Sequence, residues 1–143
     1  MKKFILAIAL LTSSQFTYAA CSNASLMGAW VIFGSNNNQY SNAVGKGTVV
    51  ISSTGVIDSI KSNITYLFPN GNSIVTTTAK LSGKVSVDSQ CSVVASITAE
   101  RTAYTTGTTY TVYGQLDNTD KNIINGIYRT IDYDIGTFNW VKK

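Results

Sequence analysis

The chain has no histidine in its 143 residues, one proline, two cysteines and only 13% charged side chains. Each shortage excludes something. Without histidine the commonest general base is missing, and Ser-His-Asp and Cys-His chemistry are closed to it. Two isolated thiols without histidine do not make the usual tetrahedral zinc set, so no metal and no cofactor is expected. No apolar run approaches the roughly 20 residues that a membrane-spanning helix needs. No window of about a dozen residues spaces its apolar positions at three and four, as an amphipathic helix requires. The sequence therefore predicts a protein that is not an enzyme and has almost no helix.

What is present at the start reads as a bacterial-type export signal. Lys2 and Lys3 supply a positive region and Phe4 to Leu11 a short apolar run, and cleavage after Ala19 places Thr17 and Ala19 at the small-residue positions. Residues 1–19 are then a signal peptide, and 20–143 a single domain in the periplasm or outside the cell. Ala20-Cys21 also has the look of a lipoprotein start, with Tyr18 standing where that pattern wants leucine, so a lipid anchor at Cys21 is the alternative localisation. With Lys2 and Lys3 set aside from the 11 basic residues, nine bases face seven acids and they are scattered, which gives no footprint for nucleic acid. Cys21 and Cys91, in an oxidising compartment, are expected to form one disulfide that closes a loop of about 70 residues, worth up to about 4 kcal/mol by chain entropy.

Strand signals dominate the rest. Leu26 to Phe33 alternates around Trp30, and a similar run near the C-terminus carries Trp140. Turn signals fall at Ser35–Asn42, Ser53–Gly55, Pro69–Asn72, Asp88–Gln90, Arg101–Gly107, Asp117–Lys121 and Tyr133–Ile135, which divides the chain into eight strands. Apolar residues alternate on one face: Val56, Ile60, Ile64, Tyr66 and Phe68; then Val75, Ala79, Leu81, Val85 and Val87; then Cys91, Val93, Ala95 and Ile97; then Tyr110, Val112, Gly114 and Leu116. Val44–Ser52 and Asn122–Asp132 alternate less clearly. An even number of antiparallel strands lets the first and last pair directly, and glycines inside strands (Gly47, Gly83, Gly114, Gly126) allow the sheet to bend. The predicted fold is all-β, a closed antiparallel up-and-down barrel of eight strands, with a β-sandwich as the alternative.

Gly28-Ala29-Trp30 on a first strand, with Cys21-Ser22 ahead of it and about eight strands to follow, resembles the calycin barrels, the lipocalin and avidin-like group. In that group the tryptophan of G-x-W seals the closed end of the barrel and a late basic residue packs across it. The resemblance assigns these barrel-closing parts to Trp30, with Trp140 beside it, and to Lys142, or else Arg129. The chain has only two tryptophans, so those that line the biotin pocket of avidins have no counterparts, and biotin is not implied.

Aromatic residues offer a pocket as well as a core: Phe33, Tyr40, Tyr66, Tyr110 and Tyr128 are the candidate ligand-binding set. The polar run Ser35–Asn42 is a candidate lid at the barrel mouth. Asp132-Tyr133-Asp134 and the oxygen-rich Asp117–Asn122 read as turns and not as catalytic or calcium sites. Two functions fit. One is a secreted or periplasmic barrel that binds a small, mostly apolar ligand. The other is a barrel filled by its own side chains whose loops bind a secreted or envelope protein, for example as an enzyme inhibitor. A cavity below about 300 Å³, the lower end for ligand pockets, weighs toward the second.

Overall fold

The computed structural model describes residues 20–37, 42–101, 107–131 and 135–143. After a single helical turn, α1 (Asn23–Leu26), come β1 (Gly28–Asn37), β2 (Asn42–Ile51), β3 (Asn63–Asn70), β4 (Ser73–Val87), β5 (Ser92–Arg101), β6 (Thr108–Leu116), β7 (Ile123–Thr130) and β8 (Ile135–Lys142). Each strand pairs antiparallel with the next, and β8 returns to β1, closing a barrel of eight strands. The sandwich is excluded by that seam. Along it Ile32 faces Trp140 and Trp30 faces Lys142 across the ladder, and Ser35 and Thr137 exchange a 3.1 Å hydroxyl bond.

The core follows from a period of two. Val93, Ala95, Ile97 and Ala99 of β5 are buried, and so are Leu81 and Val85 of β4, Val112 and Leu116 of β6, and Phe138 and Trp140 of β8. Lys46, Lys80, Lys84 and Arg129 are exposed on the other face. The interior is apolar, and the exterior mixes these charges with exposed apolar residues such as Phe33, Val44, Ile127 and Val141.

Three expectations need correction. Val56–Phe68 is not one strand: only Asn63–Asn70 is, and Val56–Ser62 is tied down by isolated bridges and a turn. Asp58 Oδ1 accepts the backbone N–H groups of Ile60 at 3.0 Å and Lys61 at 3.3 Å, and this local turn resets the alternation. Ile57 is consequently buried at 4% exposure, whereas Val56 is exposed and Ile60 is 92% exposed. Val75 is exposed as well, because it pairs with Phe68 near the tip of the β3–β4 hairpin. Ser35 to Asn37 belong to β1, so the polar connection is shorter than its composition suggested; the candidate lid residues 38–41, Tyr40 among them, lie outside the described residues.

The strands that alternate poorly in sequence have glycine on the inward face. Gly45 and Gly47 in β2 share the parity of the buried Ala43, Val49 and Ile51, and Gly126 in β7 that of Ile124. Without side chains these positions carry no hydropathy signal. The turns, by contrast, are carried by side chains that the sequence shows: Asp88 Oδ1 accepts from Gln90 and Ser92, each at 2.9 Å, and Asp117 Oδ2 from Asp120 at 2.8 Å. The latter bond, first among its neighbours, holds the Asp117 carboxyl below its ordinary value. Lys121 Nζ donates to the Asn118 carbonyl at 3.1 Å, so an ammonium already sits within this oxygen-rich turn.

Candidate functional site

The two ends of the barrel differ. At one end α1 lies across the opening with Leu26 fully buried, and Trp30 Nε1 donates to the Leu26 carbonyl at 2.7 Å. This bond satisfies a carbonyl that the end of a helix would otherwise leave orphaned. Lys142 Nζ stands 5.4 Å from the centre of the Trp30 ring and donates to the Ser25 carbonyl at 3.1 Å. One ammonium thus touches both the plug and the indole beneath it. Arg129, the other residue considered for this part, lies instead over Tyr113, 5.8 Å from its ring. Gly28 enters β1 at φ +126°, backbone that a side chain at this position would strain. The Cys21–Cys91 disulfide fastens the segment ahead of α1 to the turn before β5, and both sulfurs belong to buried residues.

The other end opens on a cavity of about 230 Å³. Its depth is apolar: Ile32, Leu81, Ile97 and Val112 line it, with Phe138 and Trp140 in tilted contact at 5.5 Å between ring centres. Its upper part is aromatic and polar. Tyr66, Tyr110 and Tyr128 line it, the Tyr66 hydroxyl donates to that of Tyr110 at 3.4 Å, and Tyr110 meets Tyr128 edge to face at 5.5 Å. Arg101 packs its guanidinium 5.5 Å from the Tyr66 ring and 5.3 Å from the Phe68 ring. Burial drives the Tyr66 hydroxyl well above its ordinary 10.0; Tyr110 beside it adds to the shift, and Arg101 partly opposes it. The phenol is therefore a neutral donor at physiological pH.

Of the candidate ligand-binding residues, the structure brings Tyr66, Tyr110 and Tyr128 together at this cavity. Phe33 borders the cavity along β1, yet its ring belongs to the outer wall. It is 43% exposed, and Lys46, opposite it in the ladder, reaches to 5.6 Å of the ring centre. Phe33 therefore offers its side chain to the exterior and not to a ligand inside. Sequence reasoning missed Arg101, which it assigned to a turn. The signal was available: Arg101 continues the inward parity of Val93, Ala95, Ile97 and Ala99, and the ladder sets it opposite the buried Ala79. Trp140, assigned to closing the barrel, also lines the cavity.

Fold and site together define a small antiparallel barrel, plugged at one end and open through an aromatic mouth at the other. No protein-family model matches the chain, and no curated protein sequence matches it. Among solved structures it is similar to a de novo designed fluorescence-activating β-barrel, with a TM-score of 0.52 at 11% identity, over 85% of this chain and 98% of that one. Such a likeness establishes the shared barrel architecture.

Proposed function

We propose that this protein is an exported, non-catalytic barrel that binds a small, mostly apolar ligand through its open end. The observation that carries the reading is an unfilled cavity of about 230 Å³ whose floor is apolar and whose hydroxyl and guanidinium groups gather at the mouth. Ligand sites combine apolar walls with a few placed polar groups in this way. The histidine-free sequence supports binding without catalysis. The disulfide is consistent with an oxidising compartment, and with the lysine-headed apolar run of residues 1–19 it supports export. The calycin resemblance fits the same reading, since Trp30 and Lys142 meet at the plugged end.

The volume sets a limit. At about 230 Å³ the cavity is under the ~300 Å³ at which typical ligand pockets begin, so the cargo is small. The same number favours the rival reading, a scaffold that binds another protein. A second hollow of about 440 Å³ lies by the rim against Val44, Leu67, Pro69 and Ile74, and Ile74 is 71% exposed, which gives that rival an apolar surface to use. Native mass spectrometry of the purified protein, with tryptophan fluorescence read against fatty acids, tetrapyrroles and small aromatics, separates the two. Binding of a small aromatic that quenches Trp140 is the expected result. If no compound is carried or bound, the scaffold reading replaces this one.

A further inference from the structure

Resting on the ligand-binding reading, we propose that the cavity takes a small, flat, uncharged molecule of the aryl ketone or aldehyde class, its carbonyl oxygen held by the Tyr66–Tyr110 hydroxyl pair. The first argument is a count of protons. A phenol keeps its proton at neutral pH, so the pair carries two, and one hydrogen bond joins them. Neither hydroxyl makes another hydrogen bond among the described residues. Tyr66 donates to Tyr110, which leaves the Tyr110 proton for a third atom; a reversed bond would leave that of Tyr66 instead, and the count is the same. Both side chains line the cavity, so the spare donor meets whatever enters.

The second argument is geometry. At 3.4 Å the bond between the hydroxyls is longer than the roughly 2.5–3.0 Å of an ordinary O–H···O contact, so they hold each other weakly and turn readily to a better acceptor. A hydroxyl that accepts one hydrogen bond also donates its own proton more strongly. Charge is the third argument. A carboxylate taken out of water needs several donors at once, whereas one spare proton serves a ketone oxygen. The Arg101 guanidinium is engaged with the Tyr66 and Phe68 rings, and the acceptor is assigned to the hydroxyls. Size and shape complete the fit. About 230 Å³ equals roughly eight waters at ~30 Å³ each, enough for a ring with a short substituent and too little for a long acyl chain. Phe138 and Trp140 supply aromatic faces below, and the Tyr110–Tyr128 pair stands beside.

The test is titration of the disulfide-bonded protein at neutral pH, followed by its NMR shifts, with acetophenone, with α-methylstyrene, which replaces the carbonyl oxygen by a methylene, and with benzoate. Acetophenone should bind more tightly than benzoate. In the double variant Tyr66→Phe/Tyr110→Phe, which keeps both rings and removes both hydroxyls, the affinity of acetophenone relative to α-methylstyrene should fall about fivefold, the effect of one neutral hydrogen bond. Both hydroxyls are removed because either one left alone still has a proton to give. The carbonyl stretch of bound acetophenone should also lie below its frequency in hexane, a readout that serves if the double variant does not fold. A relative affinity unchanged in the double variant, or a stretch equal to that in hexane, would overturn the hydroxyl assignment. Tighter binding of benzoate would overturn the uncharged class; each of these results leaves the apolar-ligand reading standing. Failure of all three compounds to bind would overturn both.

Discussion

Lys142 shows how much one side chain does at the plugged end. Its ammonium sits over the Trp30 face and also donates to the Ser25 carbonyl, so removing the charge breaks a cation–π contact and a hydrogen bond together. Lys142→Met should lower stability by about 1–2 kcal/mol, measured by urea unfolding. An unchanged midpoint would mean that α1 is held by Leu26 and the Trp30 Nε1 bond without help. At the open end, Tyr66 makes a prediction about alkaline pH. Burial keeps its phenol protonated in the folded protein beyond the ordinary 10.0, while the unfolded chain ionises there. The stabilisation is therefore complete below pH 10.0 and is lost as pH rises above it. Unfolding followed between neutral pH and about pH 11 should show a decline that Tyr66→Phe reduces; a variant with the same decline would remove the cause.

Among the elements, β4 carries the sharpest backbone demand. Gly83 has φ +132°, and a Cβ there would lie 2.1 Å from the Ser96 carbonyl oxygen of the neighbouring strand. Gly83→Ala should cost about 2 kcal/mol or more, read from thermal unfolding, because both the dihedral and the close approach must give. The turns and the better strands were legible because their residues state their role: Asp88 and Asp117 bond their own backbones, and Val93, Ala95 and Ile97 alternate without interruption. The stretch from Val56 to Ser62 was not legible. Asp58 falls on the same parity as Val56 and Ile60, where it reads as one polar exception on an apolar face, and the structure shows that it starts a turn. The turn of α1 was missed since four residues are too few for any helical period to register. At the site, three tyrosines could be chosen by type and parity, whereas Phe33 failed on parity alone and Arg101 was hidden by its nearness to a turn.

For the molecule as a whole, closure was readable because it depends on strand number and not on the details of any one strand. Both tryptophans lie on inward positions of β1 and β8, and their strands do pair. The dimensions of the interior were not readable, because they depend on which inward positions are glycine and how the aromatics turn around them. A ligand seated in this cavity stabilises only the closed barrel, so a compound at 100 times its dissociation constant should add about 2.7 kcal/mol and raise the melting temperature by several degrees. A dye-free thermal scan checks this, and a bound compound that leaves the melting point unchanged is not inside the barrel.

The seam has a kinetic consequence. Seven of the eight ladders join neighbours in the chain and form as local hairpins, but the eighth must bring together Ser35 and Thr137, 102 residues apart. Its entropic cost makes it the last ladder to zip. The sulfur bridge from Cys21 to Cys91 shortens that search by roughly two-fifths, a gain of about 0.5 kcal/mol in loop closure. Refolding watched by Trp30 and Trp140 should thus run roughly twofold faster with the bridge intact than after reduction. Oxidation, on this account, speeds the final assembly of the container besides steadying it once made.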